Sequence, residues 1–249
     1  LVGSEMCIRD SSGTGAMCDE EMPWWEFRSQ INRVVIESGV TTVGSNAFNG
    51  CSNLTAVELP DTLTAIGDYA FAWSNVAEIT IPDGVVTIGD SAFWETKLVD
   101  VVIPDSVTTI GESAFRYCEE MKTLYLGSGL TTVEDYAFNR CEAAVTLSAG
   151  NRALVLEDNA LLNAEKTRLI QYFKGPADTG RAETYTIPTG VEDICDGAFD
   201  CCDDLKTIVI PDTVQRIGRE AFGACRGLER LEIPASVTYI TPNAFFHVT

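Results

Sequence analysis

Residues 107–126 read VTTIGESAFRYCEEMKTLYL, and the fold is decided by whether this stretch occurs once or many times. Its first half returns as VTTVGSNAF (40–48), LTAIGDYAF (63–71), VVTIGDSAF (85–93), LTTVEDYAF (130–138), VEDICDGAF (191–199), VQRIGREAF (214–222) and VTYITPNAF (237–245). The closing phenylalanines stand at 48, 71, 93, 115, 138, 199, 222 and 245, spaced 23, 22, 22, 23, 61, 23 and 23 residues apart. A short period kept this strictly marks a solenoid, in which each coil touches only its neighbours.

Each period also carries an extended segment, in most coils ending at proline: VELP (57–60), ITIP (79–82), VVIP (101–104), LYLG (124–127), YTIP (185–188), IVIP (208–211) and LEIP (231–234). Alternation puts Val57 with Leu59, and Ile208 with Ile210, on one face. Their β-branched and apolar side chains favour an extended backbone, so one short strand per coil is expected. Proline has no N–H to donate, and its place at the strand end lets the ladder stop without losing an internal bond. The PDT, PDG and PDS pieces that follow suit turns.

Stacking at strand spacing would align the phenylalanines in a buried column, with Ala70, Ala92, Ala114, Ala137, Ala198 and Ala221 leaving room beside it. The glycines at 44, 67, 89, 111 and 218 permit a tight bend. Between Phe138 and Phe199 the 61 residues amount to one 23-residue coil plus 38. This excess accommodates a strand near 153–156 and a hairpin with arms near 160–163 and 167–173, turning at AEKT. Val248 occupies the last coil's usual cysteine position, and the array is expected to continue past Thr249.

The combination IPDSVTTIGESAF, with Cys118 three residues past Phe115 and Met121 in the next apolar slot, resembles the BspA-type leucine-rich repeat of bacterial and some protist surface proteins. The resemblance covers about residues 31–249. Residues 12–44, with their PW segment, also look like the opening of such arrays, and LLNAEKTRLIQYF (161–173) is similar to the LLYN-turn-LIxYP insertion of the same family, departing from it at Phe173 and Lys174. It implies a β-rich α/β solenoid: a leucine-rich repeat array with one short parallel strand per coil, an irregular or short-helical convex side, and an inserted β-hairpin. The expected organisation is a leader and cap over 1–30, repeats over 31–150, an irregular repeat with the hairpin over 151–184, and repeats over 185–249. Met17, Trp24, Trp25 and Phe27 are expected to cover the open first coil. Residues 1–11, LVGSEMCIRDS, resemble instead the translated read-through of a sequencing adaptor, which removes functional weight from Cys7.

A formal charge of −20 and an isoelectric point near 4.2 disfavour nucleic acid and anionic membranes and favour cationic partners. No run of about 18 apolar residues is present, so direct membrane insertion by this segment is not expected. Cys51, Cys118, Cys141, Cys202 and Cys225 all lie three residues after a repeated phenylalanine, which makes them a small buried column. Free thiols are the first reading, with disulfides between stacked neighbours an alternative. The sole histidine, His247, has no nucleophile or metal-ligand pattern around it, and no P-loop or HExxH is present. No metal or cofactor is expected. Most acids fall at turns (Asp61, Asp83, Asp105, Asp212) or beside the bend (Asp68, Asp90, Glu112, Asp135), where turn formation and solvation account for them. Weak calcium binding between turns is the minor alternative.

Outward strand positions vary where inward ones do not. One column holds Arg33, Ala56, Glu78, Asp100, Thr123, Thr146, Thr184, Thr207 and Arg230; its neighbour holds Val35, Glu58, Thr80, Val102, Tyr125, Ser148, Thr186, Val209 and Glu232. The interaction surface is therefore expected at Glu78, Asp100, Val102, Thr123, Tyr125, Thr207, Val209, Arg230 and Glu232, centred on Tyr125, with acids to steer or pair with Lys and Arg. The resemblance implies a noncatalytic, secreted or surface-exposed module contacting an extracellular protein or glycan, in the manner of adhesins. The alternatives are a spacer displaying another domain and, far behind it, a hydrolase using paired carboxylates.

Overall fold

The computed structural model describes residues 5–8, 15–17, 24–175 and 182–248. Much of the leader, and most of its adaptor-like stretch, lie outside the described residues. Two compact units are formed, Leu1–Cys141 with Thr146–Asn151, and Glu142–Val145 with Arg152–Thr249.

In the first unit strands appear as Arg33–Ile36, Ala56–Glu58, Asp100–Ile103 and Thr123–Leu126, with Glu5–Ile8 parallel to Arg33–Ile36, while the strand expected at 79–82 does not form. A second ladder runs beside them. The VTTIG-type segments pair in parallel as Gly15–Ala16, Val40–Val43, Ala65–Ile66, Thr87–Ile88, Thr109–Ile110 and Thr132–Val133. Each coil of the periodic array thus adds a two-residue pairing, too short for alternation to signal. The register is one coil per step: Ile66 opposite Ile88, Ile88 opposite Ile110. All three isoleucines are buried.

The third side is irregular. It is a chain of turns around each phenylalanine, bonded coil to coil largely by main chain. Ser91 N–H donates to Glu112 C=O (2.8 Å), Phe93 N–H to Ala114 C=O (2.7 Å) and Glu95 N–H to Arg116 C=O (2.8 Å). The flanking donors have left-handed backbone: Asn46, Tyr69, Ser91, Ser113, Tyr136, Gly197, Glu220 and Asn243 all sit two residues before the phenylalanine, with φ between 52° and 70°. An L residue there costs roughly 1–2 kcal/mol, and the repeated cross-coil hydrogen bonds oppose that cost.

The bend glycines do different work from the one their composition suggests. Gly67, Gly89, Gly111 and Gly218 are not left-handed. A Cβ on Gly89 would stand 2.4 Å from Asp68 Oδ1 and 2.8 Å from Asp68 N; one on Gly218 would stand 2.4 Å from Asp196 Oδ1. The neighbouring coil approaches too closely for any side chain. The same aspartates bind the coils together: Asp68 Oδ1 accepts Asp90 N–H (2.9 Å), Asp90 Oδ1 accepts Glu112 N–H (2.8 Å), and Asp196 Oδ1 accepts Arg219 N–H (2.9 Å).

The phenylalanine column forms as expected. Ring centroids are 5.4 Å apart for Phe48–Phe71 and Phe71–Phe93, 5.0 Å for Phe93–Phe115 and 5.5 Å for Phe115–Phe138, all stacked. Trp24 extends the column below Phe48 at 5.9 Å and donates its indole N–H to Ala47 C=O (2.7 Å), supplying the packing and the donor that a preceding coil would bring. Trp25 and Phe27 are 43% and 41% exposed and do not share that covering task. They lie on the short 3-10 turn Trp25–Gln30, with the Arg28 guanidinium over the Trp25 ring.

The second unit opens with the antiparallel strands Leu154–Glu157, Ala160–Asn163 and Arg168–Tyr172, the hairpin turning at 164–167 as read from AEKT. Asn163 Oδ1 closes that turn by accepting the Thr167 and Arg168 N–H groups. Arg168–Tyr172 then pairs in parallel with Asp193–Ile194, and Arg216–Ile217 and Tyr239–Ile240 continue the ladder. Tyr172 takes the place of a repeat phenylalanine, stacking on Phe199 at 5.4 Å, with Phe222 and Phe245 following at 5.4 and 5.5 Å. The outward ladder of this unit is Thr184–Thr186, Thr207–Val209 and Arg230–Glu232.

Candidate interaction groove

In the first unit the outward positions stand in the expected register: Asp100 opposite Thr123, Val102 opposite Tyr125, Ala56 bridged to Glu78. Asp100, Val102, Thr123 and Glu78 are exposed, Val102 at 60%, and Tyr125 is half-buried. Thr123 Oγ1 donates to Asp100 Oδ1. In the second unit Thr207 faces Arg230 and Val209 faces Glu232; Val209, Arg230 and Glu232 are exposed, Thr207 is half-buried, and Arg230 pairs with Glu232 at 2.7 Å.

The outward ladder of the first unit is not continuous. Ala56–Glu58 ends one three-stranded sheet and Asp100–Ile103 begins another. The coil between them, residues 78–82, is joined to its neighbours here by the single bridge Ala56–Glu78. Val99 N–H donates to Ala77 C=O (3.1 Å), and beyond that bond no ladder forms between residues 79–81 and Asp100–Ile103. The gap opens a depression of about 550 Å³ lined by Ile79, Thr80, Asp83, Asp100, Val102 and Tyr125 among others. A second depression of about 390 Å³ lies on the other side of the same coil, against Ala56–Glu58.

The break coincides with the first of the two 22-residue coils. Elsewhere the buried Leu54, Met121, Leu205 and Leu228 follow the column cysteine by three residues, and each N–H closes a turn onto that cysteine's carbonyl. The shortened coils place Ser74 and Thr96 at the cysteine position and bring the next buried residue, Val76 or Leu98, one residue earlier. Ser74 Oγ donates to Phe71 C=O (2.7 Å) and Thr96 Oγ1 to Phe93 C=O (3.0 Å). The residues of the groove's floor, Ile79 and Thr80, were not singled out by any chemistry in the sequence.

The rim is acidic. Asp105 Oδ1 accepts Ser128 N–H at 2.6 Å, and that bond holds its carboxyl below the usual range. Glu78 and Asp83 have no ion-pair partner among the described residues. Glu58 pairs with Arg33. Among the described residues no three His, Cys, Asp or Glu side chains converge into a metal-binding group.

The column cysteines are buried and free. Cys118, Cys141 and Cys225 donate through Sγ to the carbonyls of Phe93, Phe115 and Phe199, in the preceding coil, at 3.0–3.2 Å. Burial pushes the Cys51 and Cys225 thiols up to about 12 and raises Cys141 and Cys202 as well. Cys118, Cys141 and Cys225 are packing residues that each satisfy a buried carbonyl, and the raised thiols of Cys51, Cys141, Cys202 and Cys225 are protonated at neutral pH.

One surface feature was missed from sequence. On the third side, Tyr69, Trp73, Trp94 and Tyr117 form a row with centroid distances of 4.9–6.4 Å, capped by Arg140 over Tyr117 and Arg116 over Tyr136, both at 4.7 Å. These residues sit just before or after the repeat phenylalanine, at positions the repeat leaves variable. Only the stacking of coils brings them together.

A parallel solenoid of coils built on a recurring Phe, Ala and bend residue, with an outward strand face, defines the class as a repeat scaffold. The model of the BspA type leucine rich repeat region matches residues 26–161 and 177–249, in 6 copies, and the chain belongs to that family. Similar folds are found in a leucine-rich repeat protein from Eubacterium ventriosum (TM-score 0.67, 22% identity, covering 98% of this chain and 90% of that one) and in the pneumococcal vaccine antigen PcpA (0.61, 18%, 100% and 76%). A leucine rich cell surface protein from Faecalibacterium prausnitzii is also similar (0.60, 22%, 98% and 74%). No curated protein matches the chain.

Proposed function

We propose that this chain is a noncatalytic interaction module of a secreted or cell-surface protein, which contacts an extracellular protein or glycan through its outward strand face. The contact residues are Glu78, Asp100, Val102, Thr123 and Tyr125 in the first unit, and Thr207, Val209, Arg230 and Glu232 in the second. The observation that carries this reading is the groove: it opens on the face whose side chains vary, and Asp100, Val102 and Tyr125 line it. Family membership and the surface location of the Faecalibacterium protein support the placement outside the cell.

The test is binding of the purified protein to immobilised matrix proteins and a glycan array. Saturable binding that falls about tenfold in Tyr125→Ala, for a contact worth roughly 1.4 kcal/mol, is the expected result. No saturable binding to any of them would leave the spacer reading in its place.

A further inference from the structure

We infer that the groove between residues 79–83 and Asp100–Ile103 accepts an extended peptide segment bearing lysine or arginine, held by main-chain hydrogen bonds along the free edge of Asp100–Ile103. This rests on the reading of the outward face as the contact surface and adds to it the kind of partner and the mode of contact.

Three observations converge. First, Asp100–Ile103 is paired in a ladder on one side only, with Thr123–Leu126, whereas Ala56–Glu58 pairs with Arg33–Ile36 and keeps the single bridge Ala56–Glu78 on its other side. Peptide groups of an otherwise continuous parallel ladder are therefore left without protein partners inside the face, where a strand edge normally recruits an added strand. Second, the two depressions flank residues 78–82 and follow the strand direction, a shape that suits a chain more than a compact ligand. Third, the walls carry Glu78, Asp83, Asp100 and Asp105 around the apolar Ile79 and Val102. A segment alternating an apolar and a basic side chain would turn its basic side chains outward to the carboxylates of Asp83 and Asp100 and its apolar ones to the other face, toward Ile79. A second copy of this chain is a poor occupant, because its −20 charge would be brought against the same acidic rim.

The experiment uses the full chain and a capped hexapeptide alternating valine and lysine. Its comparators are the same peptide N-methylated at alternate residues, a valine–glutamate peptide, and a neutral oligosaccharide. Binding is read by fluorescence anisotropy, and by hydrogen exchange of segments 77–82 and 100–104. The lysine peptide is expected to bind saturably, more weakly at high salt, and to slow exchange in those two segments. N-methylation, which removes about two hydrogen bonds of roughly 1 kcal/mol each, should weaken it about tenfold or more. Asp83→Asn with Asp100→Asn should weaken it too, whereas Glu165→Gln, at the exposed hairpin turn of the second unit, should not.

Equal binding of the N-methylated or the glutamate peptide would overturn the proposal, as would protection elsewhere or no binding at all. Should the peptide fail while Tyr125-dependent binding to a matrix protein or glycan persists, only this inference falls. Loss of both would remove the interaction reading itself.

Discussion

The two ladders of the first unit solve the same problem with opposite results. The inner ladder has pairings of only two residues in most of its coils, yet it runs unbroken from Gly15–Ala16 to Thr132–Val133. The outward ladder has strands of three or four residues and splits at residues 78–82. Strand length is therefore not what secures register. At the bend, glycine lets adjacent backbones come within van der Waals contact, and an aspartate carboxylate bonds the next coil's N–H; both devices recur coil after coil. The outward strands lack such clips in the middle of the sheet. The separation falls at the first coil that loses a residue just upstream, while the strand of the second, Asp100–Ile103, is paired with Thr123–Leu126.

Phe93→Ala attacks what both ladders share. It removes the best-stacked ring of the column, 5.0 Å from Phe115 and buried, and should cost about 3–5 kcal/mol in a urea titration. Val102→Ala on the outward face should stay within about 0.5 kcal/mol of the parent. Equal losses would mean the column is not the common core.

Gly89→Ala singles out the inner ladder. The added methyl meets Asp68 Oδ1 and backbone atoms closer than 3.0 Å, so a loss of about 1–3 kcal/mol is expected, by the same titration. A neutral or stabilising outcome would assign the glycine to flexibility instead of close approach.

Lengthening tests the outward ladder. Inserting one residue between Ser74 and Val76 restores the 23-residue period at the first short coil. Hydrogen exchange in residues 79–81 and 100–103 should then slow, as the ladder closes across the gap, with little change at 109–110. Unaltered exchange would separate the break from the period.

The smallest effect concerns acid. Because Ser128 N–H holds the Asp105 carboxyl down, this bond's contribution is present above the unfolded pKa, near 3.9, and is lost as pH falls through the lower folded value. The urea midpoint of Asp105→Asn should lie below that of the parent at pH 7, and the difference should shrink as pH falls below about 3.9. A difference that grows in acid would contradict the assigned bond.

Particular residues show how far each kind of information reaches. The stacked phenylalanines, the alanines beside them, the outward columns around Asp100 and Tyr125, and the hairpin turning at AEKT are all legible in the linear pattern. A solenoid adds nearly the same coil repeatedly, so a residue's place in the period is also its place in the cross-section. Side chains one period apart must meet. The inner pairings, the steric duty of Gly67, Gly89 and Gly111, the hydrogen bonds Ser74 and Thr96 make at the cysteine position, and the row from Tyr69 to Tyr117 appear only in three dimensions. So does the groove. Periodicity states which residues are neighbours, but whether their backbones approach within hydrogen-bonding distance depends on the path each coil takes, a matter of an ångström or two that no repeat pattern records.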